Sequence, residues 1–125
     1  MAIIGVDHVQ LAIPQGGEDQ TRAFFADLLG MQEVPKPDNL SPSGCWFEGG
    51  GARLHIGVDP DFRPARKAHP AFLVDDLVAV RERLEAAGFS TADDKPVQGY
   101  TRFFTHTCPK TMEDTRGQWG SPQCQ

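Results

Sequence analysis

The chain has 125 residues, 39% of them hydrophobic, and carries 17 acidic against 12 basic side chains for a net charge of −5. That length supports one ordinary core or two small modules that share one, and the hydrophobic content fits a folded protein rather than a disordered one. The acidic balance, with no long basic run, excludes nucleic acid as a partner, because phosphate binding needs concentrated positive charge. The one basic cluster, Arg63-Pro64-Ala65-Arg66-Lys67, suits a single anionic group. No apolar run approaches the roughly 20 residues of a bilayer span, and no charged, apolar, cleavable leader opens the chain, so a cytoplasmic protein without a membrane partner is expected. Cys45, Cys108 and Cys124 are widely spaced without a C-x-x-C pair. This argues against a disulfide framework and against a thiolate zinc site.

In chain order, residues 3–13 alternate as a strand, with Val9, Leu11 and Ile13 on the apolar side and His8, Gln10 and Ala12 opposite. A loop through Gly16-Gly17 leads to a helix from about Glu18 to Leu29. Its first turn is acidic, its stripe is Phe24, Phe25, Leu28 and Leu29, and Gly30 is placed as a left-handed cap. Short strands follow at Met31 to Val34 and Cys45 to Glu48, separated by a Pro/Asn/Ser/Gly loop over 35–44. Gly49-Gly50-Gly51 then turns a hairpin into Ala52 to Val58. That last strand buries Leu54, Ile56 and Val58 and turns Arg53 and His55 to the other face.

The second half repeats the start. His69-Pro70-Ala71-Phe72-Leu73-Val74 puts Pro70, Phe72 and Val74 in the places of Val9, Leu11 and Ile13, and His69 in the place of His8. A helix follows, N-capped by Asp75 or Asp76, striped by Leu77, Val80, Leu84 and Ala87 and stopped at Gly88. Strands near Phe89 to Ala92 and Tyr100 to Thr105 complete it, while residues 107–125 show no sustained alternation. A period of about sixty residues seen twice describes paired modules rather than a solenoid. The expected fold class is α+β: two βαβββ modules form a cupped mixed sheet with helices on its outer face, and the last strand of the second module is doubtful. Residues 1–125 are expected to be one domain, with modules at 1–60 and 68–114 and an irregular tail at 115–125.

Three histidines, His8, His55 and His69, thus fall on the polar parity of strands, two of them related by the repeat. Converging imidazoles suit a divalent metal; a lone strand histidine is more often a hydrogen-bonded structural residue. His106 keeps that structural reading. Arg53 and Arg102 are candidates for binding a substrate carboxylate, against the alternative of a solvated sheet edge. Trp46 and Phe47 alternate, so one faces the core and the other a cavity. Glu48 is a reserve carboxylate. No nucleophile elbow and no phosphate loop with its Lys-Ser/Thr are present, which argues against acyl transfer and nucleotide hydrolysis.

The stretches Val6-Asp7-His8-Val9, Phe24-Phe25-Ala26-Asp27-Leu28-Leu29-Gly30-Met31 and Leu54-His55-Ile56-Gly57-Val58, in a twice-used β-α-β-β-β order, resemble the vicinal oxygen chelate superfamily. That group holds glyoxalase I, extradiol dioxygenases, fosfomycin-resistance enzymes and bleomycin-resistance proteins. The resemblance covers residues 3 to about 106 and places His8, His55 and His69 at matching metal-ligand positions. Its members usually end in a D-P-x-G-N-x-x-E-like turn whose glutamate completes the site. Here Thr107-Cys108-Pro109-Lys110-Thr111-Met112-Glu113-Asp114 stands instead, with Asp114 in the glutamate's place if the turn keeps its length and Glu113 beside it. Natural divergence and a shifted reading frame both account for this ending. The resemblance implies a divalent ion (Fe, Mn, Ni, Co or Zn) acting as a Lewis acid on a small oxygenated substrate, in a metal-dependent glyoxalase, lyase or dioxygenase. Its rivals are a metal-free, bleomycin-resistance-like binding protein and a damaged relative that keeps the fold alone. A homodimer is expected, because a missing strand exposes a sheet edge that a second copy could cover.

Overall fold

Alternation of apolar and polar residues builds a four-stranded mixed sheet in the first part of the chain. In the computed structural model, which describes residues 2–93 and 95–109, β1 (Val9–Ile13), β2 (Gln32–Val34), β3 (Cys45–Gly49) and β4 (Ala52–Val58) lie in the order β1-β4-β3-β2. β1 runs parallel to β4, and β3 is antiparallel to both β4 and β2. Parallel pairing of β1 with β4 demands a long crossover, and the helix and hairpin between them supply it. The hairpin closes on Gly50-Gly51, both at positive φ (58° and 80°), the backbone of the tight turn that two glycines permit.

The core of this sheet lies on one face. Phe47, Leu54 and Ile56 are almost wholly buried there, with Cys45 and Ile13 beside them. α1 (Glu18–Arg22) continues directly into a π-helical segment (Ala23–Leu28), where an α-helix throughout was expected. The Leu29 N–H donates to the carbonyl of Phe24, and the Met31 N–H to that of Phe25. Two adjacent phenylalanines explain the widened turn: Phe24 and Phe25 are both buried, with Phe25 5.8 Å from Phe47 between ring centroids. A wider turn brings neighbouring side chains closer to one face than a 3.6-residue turn does. Gly30 ends the helix at φ 73°, as its position predicted.

Residues 3–8 depart from the predicted strand. Ile3, Ile4 and Val6 are exposed, and the ladder starts only at Val9 because β4 supplies its first parallel neighbour at Leu54.

The chain divides after Phe62 into a second compact unit, built of α2 (Leu77–Ala86) and the antiparallel pair β5 (Phe89–Ala92) and β6 (Phe104–Pro109). Asp76, not Asp75, is the N-cap, its carboxylate accepting the Ala79 N–H at 3.0 Å. Val80, Leu84 and Phe89 are its buried apolar residues among those described. Two expectations fail here. Residues 69–74 form no strand, since no ladder partner for them exists among the described residues. The strand expected at 100–105 instead occupies Phe104–Pro109, because Val97 and Tyr100 close a turn first. The class is α+β, with one four-stranded and one two-stranded sheet among the described residues.

Candidate metal centre

Opposite the core face of the first sheet, the register sets a row of polar and aromatic side chains. Gln10 and Trp46 both pair with His55, and Glu48 pairs with Arg53. Because residues at paired positions share a face, Trp46, Glu48, Arg53 and His55 stand together away from Phe47 and Leu54. The alternation at Trp46-Phe47 is thereby resolved: Phe47 enters the core, and Trp46 lies flat against His55 with ring centroids 3.7 Å apart and planes 2° apart. His8 covers the other side of His55, at 4.0 Å and 19°. The result is a three-ring stack running Trp46, His55, His8 across the strands.

Charged groups tie the end of the stack. His8 Nδ1 lies 2.9 Å from Asp7 Oδ2, the Arg53 guanidinium lies 3.4 Å from Asp7 Oδ1, and its Nε lies 3.7 Å from Glu48. The hydrogen bond from His8 holds the Asp7 carboxyl below its ordinary value. Burial in the stack pushes the His55 imidazole below its usual range, and the neighbouring His8 adds to the effect. The shift favours the neutral form of His55, the form in which imidazole binds metal. Burial also raises the Cys45 thiol to about 11 on the core face, so it contributes no thiolate.

The other predicted residues fall elsewhere. His69 is exposed in the second unit, its Nδ1 2.8 Å from the Lys67 carbonyl and its ring 5.4 Å from that of Phe104. Arg102 lies over the same Phe104 ring at 5.8 Å and donates to the Lys95 carbonyl. Asp114 and Glu113 lie outside the described residues. Asp7 is the participant that strand parity missed. Alternation would have sent it to the face opposite His8, but the ladder begins at Val9, so residues 7 and 8 are free of that rule and share a side. Its signal was an acidic residue directly before a candidate ligand.

In donor type, face and proximity, His8 and His55 fit a divalent ion. Their ring planes are nearly parallel, however, so the in-plane lone pairs run side by side rather than toward one point. An ion at about 2.0–2.1 Å from each nitrogen needs them to converge. His8, at the outer end of the stack with 41% of its side chain exposed, is the ring that can turn. Among the described residues no three His, Cys, Asp or Glu side chains form a metal-holding group, and no helix is long and apolar enough to cross a membrane.

Comparison with known proteins agrees with this architecture. The model of the Glyoxalase/Bleomycin resistance protein/Dioxygenase superfamily matches residues 5–119. A glyoxalase family protein from Bacillus anthracis is 44% identical and superposes with a TM-score of 0.68, over 75% of this chain and 78% of its own. A mutant of the fosfomycin resistance protein FosX from Listeria monocytogenes, solved with Mn(II) and dihydroxypropylphosphonic acid, is 23% identical with a TM-score of 0.66, over 82% of this chain and 85% of its own. TnmS3, an antibiotic binding protein from Streptomyces sp. CB03234, shares the fold at 14% identity and a TM-score of 0.54, over 78% of this chain and 83% of its own. No curated protein is similar enough to count as a match. A family model spanning nearly the whole chain, together with a 44% identical relative, makes this protein a member of the Glyoxalase/Bleomycin resistance protein/Dioxygenase superfamily.

Proposed function

We propose that this protein is a divalent-metal-dependent enzyme of the glyoxalase and dioxygenase type, with His8 and His55 as two of its ligands and a small oxygenated, anionic molecule as substrate. The observation that carries the reading is the contact of these two imidazoles, ring centroids 4.0 Å apart, His55 on the polar face of β4 and His8 just before β1. The Mn(II) complex of FosX is a fold relative's precedent for a metal and a small oxyanion together. His69, Asp114 and Glu113 enter as further ligands on the family resemblance alone. Bound there, the ion (Mn, Fe, Co, Ni or Zn) supplies Lewis-acid polarisation of substrate oxygens.

The chain's own residues do the rest. Trp46 backs His55 and limits how far that ring can move, while a neutral His55 presents a lone pair without first losing a proton. Arg53, held loosely between Asp7 and Glu48 and more than half exposed, exchanges those exposed carboxylates for a substrate anion. Arg102 is the corresponding anion-binding candidate of the second unit. A homodimer belongs to the reading, since a backbone edge left unpaired can be covered by a second copy.

Metal analysis of protein purified without chelator tests the reading. We expect stoichiometric uptake of Mn(II), Co(II) or Zn(II) at micromolar concentrations, weakened about 100-fold or more by His55→Ala. That loss should exceed the roughly 10–100-fold effect of removing a group that only supports a ligand. No uptake by the unaltered protein overturns it. A second reading, sequestration of a small molecule without turnover, is favoured by the parallel ring planes, which form a flat-sided wall without moving. It predicts ligand binding that chelators leave unchanged.

A further inference from the structure

Two histidines related by the internal repeat have the same ring nitrogen engaged by the chain just before them. His8 Nδ1 meets the Asp7 carboxylate at 2.9 Å, and His69 Nδ1 meets the Lys67 carbonyl at 2.8 Å. An ionised carboxylate and a backbone carbonyl only accept hydrogen bonds, so in each pair the imidazole must donate. A neutral ring that donates from Nδ1 carries its lone pair on Nε2. The two contacts thus specify one tautomer at both places, by different chemical means.

From this geometry we infer that Asp7 is a positioning residue: it fixes His8 as the Nδ1–H tautomer, with the lone pair on Nε2. The inference rests on the metal-site reading only for its purpose, since the tautomer is a property of the metal-free chain. A carboxylate behind a ligating imidazole orients the ring and strengthens it as a donor. Here the carboxylate is shared, because its second oxygen faces Arg53 at 3.4 Å. With Oδ1 on the Arg53 side, Oδ2 is the oxygen that meets the ring. The free imidazole prefers the opposite tautomer, with the proton on Nε2. Without Asp7, His8 would offer a donor N–H where a metal needs a lone pair.

Nitrogen-15 NMR of the metal-free protein, at a pH above the imidazole range, reads the tautomer directly through couplings between ring protons and ring nitrogens. We expect His8 and His69 both to be protonated at Nδ1. In Asp7→Ala, His8 should revert to the Nε2–H form while His69 stays as it was. Asp7→Asn, whose side-chain carbonyl can still accept, should restore the wild-type pattern at His8. Asp7 is exposed and outside the ladder, so these variants leave the core alone, and unchanged shifts of Trp46 and Phe47 verify it. His8 protonated at Nε2 in the unaltered protein, or a tautomer indifferent to Asp7→Ala, overturns the inference. Metal titration of the same variants separates it from the functional reading. If Asp7→Ala changes the tautomer but the unaltered protein binds no metal, the metal-site reading fails and this one stands. If metal binding needs His8 yet Asp7→Ala alters neither tautomer nor affinity, this one fails and the metal site stands.

Discussion

The two repeat-related strand segments had the same pattern and met different fates. Val9–Ile13 found β4 alongside it, in register from Val9 with Leu54 to Ile13 with Val58, and became a strand with Ile13 buried at its end. Residues 69–74 carry Phe72 and Val74 at the same spacing, yet Leu73 is 97% exposed and no ladder forms over them. A strand forms only where a neighbour pairs with its backbone groups. Alternation therefore nominates a strand, and a neighbour with matching edge decides it. The first unit has that neighbour in β4; among the described residues of the second, nothing takes its place.

The difference is sharpest in the cores. Phe47, fully buried on β3 and in ring contact with Phe25, should cost about 3–5 kcal/mol when changed to Ala. Phe72→Ala, at a position 41% exposed, should cost about 1 kcal/mol or less. Denaturant unfolding of both variants checks this, and a Phe72 effect as large as that of Phe47 would mean that residues 69–74 are packed as a strand after all.

A smaller contrast lies within the first unit, between Gly44, which abuts β4, and Gly57 within β4. Gly44 holds a φ of 82°, and a Cβ there would run into the Ile56 carbonyl, so Gly44→Ala combines backbone strain with a clash against a fixed group. We expect a loss of roughly 2–4 kcal/mol. At Gly57 the obstacle is only the Nε2 end of the Gln10 side chain, which can swing away. Gly57→Ala should stay within about 1 kcal/mol of the unaltered protein. Equal effects at the two sites would show that the Gln10 side chain is held as firmly as backbone.

The first unit was largely legible because its signals were local and mutually consistent. The glycine pair at the hairpin, the Gly30 cap, and the alternation of Leu54, His55 and Ile56 each named its own position. What escaped was set by contacts between elements. The π-helical turn answers to two adjacent buried phenylalanines, Phe24 against Phe25 and Phe25 against Phe47, which periodicity alone does not weigh. The stack of Trp46 and His8 on His55 depends on strand order, and strand order is not written in any one segment. Asp7 was hidden by an alternation rule applied two residues beyond the end of the ladder. For the site, the sequence indicated which residues of the first sheet share a face. It set His8 and His55 on the polar parity, without the ring planes that decide whether two imidazoles chelate or merely stack.

The smallest predicted effect contrasts the two units through acid. His106, on β6, has its Nδ1 buried with no hydrogen-bond partner among the described residues, and burial lowers its pKa from the ordinary value of about 6.5. Between that lowered value and about 6.5, the unfolded chain binds more protons at this position than the folded one, so stability rises with pH across the window. The contribution is intact above about pH 6.5 and is lost as pH falls toward the folded value. His55 acts with the same sign in the first unit, where burial is again the leading cause. His106→Gln keeps a polar side chain that cannot take up a proton, and so should flatten part of the fall in melting temperature between about pH 7.5 and 5.5. The part that remains belongs to His55 and to the other titrating groups. An acid slope unchanged by His106→Gln would mean that the imidazole on β6 is solvated well enough to charge in place, and that the acid sensitivity of the fold comes from elsewhere, with the stacked His55 of the first unit the next group to replace.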